Sequence, residues 1–318
     1  MDKVLQKLTG VQKNIPLKEY TTYKIGGSAK YFFVAKNKES LIKALETSKE
    51  FKLPVFILGG GSNILVSDKG FKGLVIKIDI KDVAFYENGV IVGAGTNLTK
   101  LAHLTAEKGF SGLEWSAGIP CATIGGAIYG HAQAFGIEIS DSVKSVEALD
   151  LKTFKIGNFS KKQCRFSVKN SMFKKSKKFA IVSVILELQK KDKNEIKKLI
   201  KEFLAYRKNG HPMAFPSAGS TFVNPQTKIK NKKLLVKFPE LNEYNRKGTI
   251  SSGYLIAKCG LAGKKIGKAQ ISEKHANFII NLGGAKAKDV LSLINLAKKK
   301  VKKTFGVNLE TEVQFVGF

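Results

Sequence analysis

Arginine is scarce in this chain: of 55 basic residues among 318, only Arg165, Arg207 and Arg246 are arginine, although the formal net charge is +30. A potential of that sign attracts nucleic acid and acidic membranes. Readers of nucleic acid, however, exploit the planar guanidinium fork and interleave aromatic side chains for base stacking. Neither pattern surrounds the lysine runs Lys174-Lys175, Lys232-Lys233 and Lys298-Lys299-Lys300. The charge therefore reads as a lysine-biased, solvated surface, and a nucleic-acid partner is not expected. Cysteine is sparse as well. Cys121, Cys164 and Cys259 are odd in number and form no Cys-x-x-Cys pair, which argues against a disulfide framework and a thiolate zinc site. A reducing compartment and no metal are expected. No stretch approaches the roughly 18 apolar residues of a membrane span, and residues 1–7 lack the apolar core of a signal peptide. The expected location is the cytoplasm, without membrane insertion. Internal repeats and low-complexity linkers are missing too, and the oligomeric state is not legible.

What the chain has is glycine in two places. Val55-Phe56-Ile57-Leu58 reads as a short buried strand running into Gly59-Gly60-Gly61-Ser62-Asn63. A second loop, Gly118-Ile119-Pro120 through Gly125-Gly126, follows about sixty residues later. Consecutive glycines let main-chain N–H groups converge on an anion, so the pair points to a bound phosphate cofactor. Neither loop is a common nucleotide motif. The Walker pattern ends in Gly-Lys-Ser/Thr where this chain has Ser62-Asn63, and the Rossmann fingerprint needs a third glycine where Ile64 sits. Each loop by itself could be only a tight turn.

Around the loops, strand and helix alternate. Residues 29–34 are strand-like, Asn37 is a candidate N-cap, and Leu41, Ile42, Ala44 and Leu45 form a helical stripe before the Val55 strand. More strand is expected at 64–68 and 73–78. From Val83 to Leu188 the signals are mostly β, notably residues 89–95 and 180–186, with a helix over 97–108. A charged helix over 193–206 reads as a connector. Beyond it lies an α/β segment whose apolar residues Ala287, Val290, Leu291, Ile294, Ala297 and Val301 repeat at helical spacing. The partition expected is an α+β protein of three domains, 1–80, 81–206 and 207–318.

Five ordered stretches carry a resemblance. Residues 20–29 read Tyr-Thr-Thr-Tyr-Lys-Ile-Gly-Gly-Ser-Ala, and 58–68 read Leu-Gly-Gly-Gly-Ser-Asn-Ile-Leu-Val-Ser-Asp. Residues 216–222 read Pro-Ser-Ala-Gly-Ser-Thr-Phe, 269–278 read Ala-Gln-Ile-Ser-Glu-Lys-His-Ala-Asn-Phe, and 309–313 read Leu-Glu-Thr-Glu-Val. Together they resemble the UDP-N-acetylenolpyruvoylglucosamine reductase family, in its shorter form, nearly end to end.

The resemblance implies a vanillyl-alcohol-oxidase-like (PCMH-type) FAD-binding fold made by the first two domains and a C-terminal α/β substrate-binding domain. It places Gly59, Gly60, Gly61, Ser62 and Asn63 along the FAD pyrophosphate, with Ser116, Gly118, Ile119, Gly125 and Gly126 around the phosphates and flavin. It implies that NADPH reduces FAD and leaves, and that UDP-N-acetylglucosamine enolpyruvate then accepts hydride from flavin N5 at C3. The proton for C2 is assigned to Ser220, stabilisation of the enol-like species to Glu312, and polarisation of the carboxylate to a cation in a Tyr-Arg-x-Ser motif. Asn224, Gln270, His275 and Asn277 fall in motifs framing the substrate. Away from the resemblance, Ser220 is a plain loop serine, Glu312 a solvated carboxylate and His275 a structural histidine.

Several positions depart from the family pattern. Val168-Lys169-Asn170-Ser171 stands where Tyr-Arg-x-Ser is usual, so Lys169 becomes the expected cation, with Arg165 as competitor; on a strand both would point to one face. Cys121-Ala122-Thr123 lengthens the glycine turn by one residue. His131-Ala132-Gln133-Ala134-Phe135-Gly136 replaces Asn-Ala-Gly-Ala-Tyr-Gly, and Val223 replaces a lysine. Three alternatives stay open at this level: a flavin oxidase of the same fold, a degenerate relative that only binds flavin or sugar nucleotide, and a basic nucleic-acid-binding protein.

Overall fold

The computed structural model describes residues 2–318, which divide into two compact units. The first comprises the chain up to Pro16, Ser28–Gly61 and Phe71–Arg207; the second comprises Leu17–Gly27, Ser62–Gly70 and Lys208–Phe318. The three-way partition at residues 80 and 206 is finer than this, and we keep it as a proposal, with one sheet of the first unit assigned to each of its first two parts.

One of those sheets has the order Gln12–Pro16, Ser28–Ala35, Phe71–Ile78, Val55–Leu58. Its first pair is antiparallel and the other two are parallel. Parallel strands need a crossover, and the helix Lys38–Glu50 carries the chain from Ser28–Ala35 to Val55–Leu58, leaving the gap between them that Phe71–Ile78 later fills. Asn37 starts that helix: its Oδ1 accepts from Ser40 N–H at 2.8 Å while Ser40 Oγ accepts from Asn37 N–H at 3.2 Å. The other sheet is antiparallel, in the order Ile156–Ser160, Val143–Asp150, Phe179–Glu187, Gly89–Gly93, Val83–Tyr86. The helix Leu98–Glu107, capped by Asn97, buries Leu98, Leu101, Ala102 and Ala106. One hydrophobic cluster joins Leu74 and Ile76 of the first sheet to Val90, Val146 and Val184 of the second.

The second unit is built around the helix Ala287–Phe305, which buries Ala287, Val290, Leu293, Ile294, Ala297, Val301 and Phe305. Full burial of each large aliphatic chain is worth about 1.5–3 kcal/mol, an upper bound for a compact unfolded reference. The Asp68 carboxylate closes its N-terminus, accepting from the N–H of Ala287 at 2.8 Å and of Lys288 at 3.2 Å. Gly306, at φ 72°, ends it in the left-handed conformation that glycine adopts without steric cost. The parallel pair Ile64–Val66 with Gln314–Val316, and the sheet Lys265–Ile266, Ala269–Ile271, Ile279–Asn281, complete the unit. Among the described residues no helix is long and apolar enough to cross a membrane.

Candidate active site

In the first unit the two glycine loops interlock. A Cβ on Gly60 would lie 1.7 Å from the Cys121 carbonyl oxygen, and one on Gly59 would lie 2.7 Å from Thr123 Oγ1, so no larger residue permits this approach. Among the described residues no acceptor in the protein takes the N–H of Gly59 or Gly60, which leaves two adjacent donors at the end of the Val55–Leu58 strand. The second loop behaves differently. Ile124 N–H donates to Thr96 O at 3.0 Å, Gly125 N–H to Ala94 O at 2.9 Å and Gly126 N–H to the capping Thr123 Oγ1 at 3.3 Å. Gly125 and Gly126 thus contribute small size here rather than spare donors. Ser116 is fully buried and its hydroxyl donates to Leu113 O at 2.6 Å, while Ile119 N–H donates to Ser116 O at 3.0 Å. Both hold the shape of the loop.

Among the described residues, two buried polar atoms beside these loops have no hydrogen-bond partner: Thr96 Oγ1 and Arg207 Nε. Arg207 lies with its guanidinium 5.4 Å from the Phe135 ring centroid, and its Cδ sits 2.3 Å from where a Gly118 Cβ would be. Burial pulls its pKa down, as expected for a cation short of water and partners. An unspent guanidinium donor against a glycine loop suits an anionic group such as a diphosphate, so the loops fit FAD. Sequence reasoning passed over both residues. The rarity of arginine was the available signal for Arg207.

Lys169 belongs to a tight turn and not to a strand. Ser167 and Asn170 exchange N–H···O bonds of 3.0 and 2.8 Å, leaving Val168 and Lys169 as the two turn residues. Lys169 has φ 54° and Arg165 φ 46°, so the shared strand face considered for them does not exist. Left-handed backbone at a non-glycine residue costs about 1–2 kcal/mol and persists only where neighbours hold it. Here Lys174 Nζ donates to Lys169 O at 2.9 Å and Ser171 Oγ donates to Tyr129 O at 2.7 Å. Arg165 is exposed and, with Lys161, Lys162, Ser167 and Val168, lines a cleft of about 510 Å³ beside the Lys169 turn.

In the second unit Ser220 and Glu312 lie on neighbouring extended segments. Glu312 N–H donates to Thr221 O at 2.9 Å, Val223 N–H donates to Glu310 O at 2.9 Å, and Phe222 bridges Thr311. Asn277, 3 % exposed, fastens the first segment from its other side. Its Oδ1 accepts from Phe222 N–H and its Nδ2 donates to Phe222 O, both at 2.9 Å, in the manner of a strand neighbour. Asn63 does similar work for the second segment: Nδ2 donates to Glu312 O at 3.3 Å and its carbonyl accepts from Gln314 N–H at 3.1 Å. Asn63 Oδ1 is buried without a partner among the described residues, and Ser62, which precedes it, opens the segment Ser62–Gly70 of this unit.

The other expected substrate residues are committed to structure. Gln270 Nε2 donates to Gly263 O at 3.1 Å, and Asn224 Oδ1 accepts from Ser252 N–H at 2.9 Å, opening the helix Ser252–Lys258. His275 stacks on His211 at 5.2 Å, and its Nδ1 accepts from Asn277 N–H at 3.3 Å. That acceptor role requires a neutral ring, and burial lowers its pKa accordingly.

Comparison with known proteins places the chain in a family. Residues 29–153 match a family profile described as an FAD binding domain, and residues 211–316 match the C-terminal domain of UDP-N-acetylenolpyruvoylglucosamine reductase. A relative of that name from Anoxybacillus flavithermus is 37% identical over 319 residues, covering 99% of this chain and 98% of its own length. Another from Caldicellulosiruptor bescii is 39% identical, covering 98% and 93%. Among solved structures, UDP-N-acetylenolpyruvylglucosamine reductase from Thermus caldophilus superposes with a TM-score of 0.75 at 32% identity, covering 96% of this chain and 98% of that one. An α+β FAD-binding fold, the interlocked glycine loops, the paired Ser220 and Glu312 segments and end-to-end likeness lead to one conclusion: the chain belongs to the UDP-N-acetylenolpyruvoylglucosamine reductase family.

Proposed function

We propose that this protein reduces UDP-N-acetylglucosamine enolpyruvate to UDP-N-acetylmuramate at the expense of NADPH, a cytoplasmic step in peptidoglycan precursor synthesis. When bound, FAD would supply the hydride chemistry that links NADPH to C3 of the enolpyruvyl group. Gly59, Gly60, Gly61, Ser62 and Asn63 would hold its pyrophosphate, with Ser116, Gly118, Ile119, Gly125, Gly126 and Arg207 shaping and charging its surroundings. Lys169 polarises the substrate carboxylate, Ser220 Oγ delivers the proton to C2, and Glu312 stabilises the enol-like charge distribution before that transfer. Asn277 fixes the main chain beside Ser220 with His275 behind it, and Asn224 and Gln270 hold the neighbouring loops, so that together they frame the substrate.

The observation that carries this reading is the 2.9 Å bond from Glu312 N–H to Thr221 O. It holds Ser220 and Glu312, distant in sequence, on adjacent segments, which supports a joint role for the hydroxyl and the carboxylate. Anaerobic stopped-flow on the flavin-loaded protein tests it by separating flavin reduction by NADPH from reoxidation by the enolpyruvyl substrate. Ser220→Ala should leave the first phase intact and slow the second by about 10²–10⁴-fold, the range for loss of a positioned proton donor. NADPH oxidation that ignores the enolpyruvyl substrate and instead consumes oxygen would identify a flavin oxidase and overturn the proposal.

A further inference from the structure

We propose that His131 is the positioning residue for Lys169: its buried imidazole pins the Ser167 carbonyl and thereby fixes the two-residue turn that presents the lysine. His131 has this consequence only because Lys169 is taken to act on the substrate carboxylate, the reading given above. The ring is 2 % exposed and follows the helix Ile124–Gly130 as its left-handed C-cap, at φ 48°. His131 Nδ1 lies 2.7 Å from Ser167 O. A carbonyl only accepts, so in this shorter contact Nδ1 carries the proton and donates; Gln133 Nε2, 3.2 Å from the same nitrogen, is then only a packing neighbour of it and spends its donor on Glu138. Ser167 O also receives Asn170 N–H at 2.8 Å, so one oxygen anchors both the closing bond of the turn and the imidazole.

The ring is braced on its other edge. Nε2 lies 3.0 Å from Ser140 Oγ and 3.2 Å from Glu138 Oε2, and Gln133 Nε2 donates to Glu138 Oε1 at 2.8 Å. Phe166, next to Ser167 in the chain, stacks on the imidazole at 4.9 Å. The imidazole therefore cannot rotate without breaking contacts on both edges and one face. Such bracing has a chemical purpose in this chain. A lysine ammonium on a flexible four-carbon stem lacks the rigid fork of arginine, so its aim depends more heavily on a fixed main chain. The helix that ends at His131 begins with the glycine loop Thr123–Gly126, so a single short element runs from the proposed cofactor loop to the residue that sets the cation.

The test uses the flavin-loaded enzyme. His131→Phe keeps the stacking surface and removes both ring nitrogens. Reoxidation by the enolpyruvyl substrate should slow by about tenfold with flavin reduction by NADPH unchanged. His131→Asn places an amide donor where Nδ1 stands and tolerates left-handed backbone, and it should stay within about threefold of the native rate. Lys169→Ala should slow reoxidation by itself, and adding His131→Phe should cause no further loss. A readout independent of activity is amide hydrogen exchange: protection at the paired Ser167 and Asn170 amides should fall at least about tenfold in His131→Phe and survive in His131→Asn.

Lys169→Ala at the native rate would sink the reading on which the idea rests. A slow Lys169→Ala beside a native His131→Phe, or full additivity in the double variant, overturns the role of His131 and leaves that reading standing. Equal slowing of both half-reactions by His131→Phe also overturns it, marking a merely structural histidine. If His131→Phe yields no flavin-loaded protein, Glu138→Gln carries the test through the brace: about threefold slowing confined to reoxidation supports the role, and no change in rate or exchange overturns it.

Discussion

Truncating Asn277 offers a direct measure of how the second unit builds its acid segment. In Asn277→Ala both amide bonds to the Phe222 main chain disappear, leaving Phe222 N–H and C=O without those partners inside a buried segment. Each buried polar group left unsatisfied costs about 1–3 kcal/mol, so the pair predicts a loss of about 2–6 kcal/mol, less if water enters the space. For a chain of this size that corresponds to a fall of roughly 3–9 °C in the unfolding midpoint. The assay is thermal and urea unfolding followed by circular dichroism, paired with steady-state kinetics below the transition. Because Ser220 lies two residues from Phe222, kcat should fall along with stability, and KM for the sugar nucleotide should change by less than about threefold. Asn277→Asp sharpens the point: it retains an acceptor for Phe222 N–H but turns a carboxylate oxygen toward Phe222 O, so it should be at least as destabilising as alanine. Stability within about 0.5 kcal/mol of the native value, with KM raised tenfold or more, would show that Asn277 contacts the substrate and that its structural assignment is wrong.

Gly60→Ala should separate the interlocked loops, since the added methyl would meet the Cys121 carbonyl at 1.7 Å and backbone must move to relieve it. The expected result is protein with less than about a quarter of the native flavin content after purification, read from the visible absorbance ratio; a fully yellow variant would refute the packing argument. His275 predicts a pH effect. Burial lowers its pKa below the ordinary 6.5, so the unfolded chain takes up a proton that the folded chain resists. Its contribution to stability is therefore complete above pH 6.5 and declines as pH falls below that value. The urea midpoint should drop between pH 7 and pH 5 by more in the native protein than in His275→Gln, and parallel curves would remove His275 as a cause.

Much of the fold was legible because its signals are local. Asn37 and Asn97 start helices where their side chains satisfy N-terminal N–H groups, and the 3.6-residue stripe from Ala287 to Val301 is buried as its spacing implies. The strands expected near residues 29–34, 55–58 and 180–186 form at Ser28–Ala35, Val55–Leu58 and Phe179–Glu187. The family, too, was written in ordered motifs and the absence of a Walker lysine. Tertiary structure alone decided matters that depend on residues far apart. Residues 17–27 and 62–70 join the C-terminal unit because Leu65 and Ile25 complete its core, and no window of sequence contains both sides of that contact. The Lys169 stretch looked compatible with a strand; pairing of Ser167 with Asn170, held by His131 from a preceding helix, makes it a left-handed turn. Gly125 resembled a phosphate donor until the carbonyl of Ala94 took its N–H. Composition and periodicity report which surfaces must be buried and which chemistry is on hand. Which donor meets which acceptor is set by long-range packing, where one committed hydrogen bond decides whether a residue holds the site together or serves its reaction.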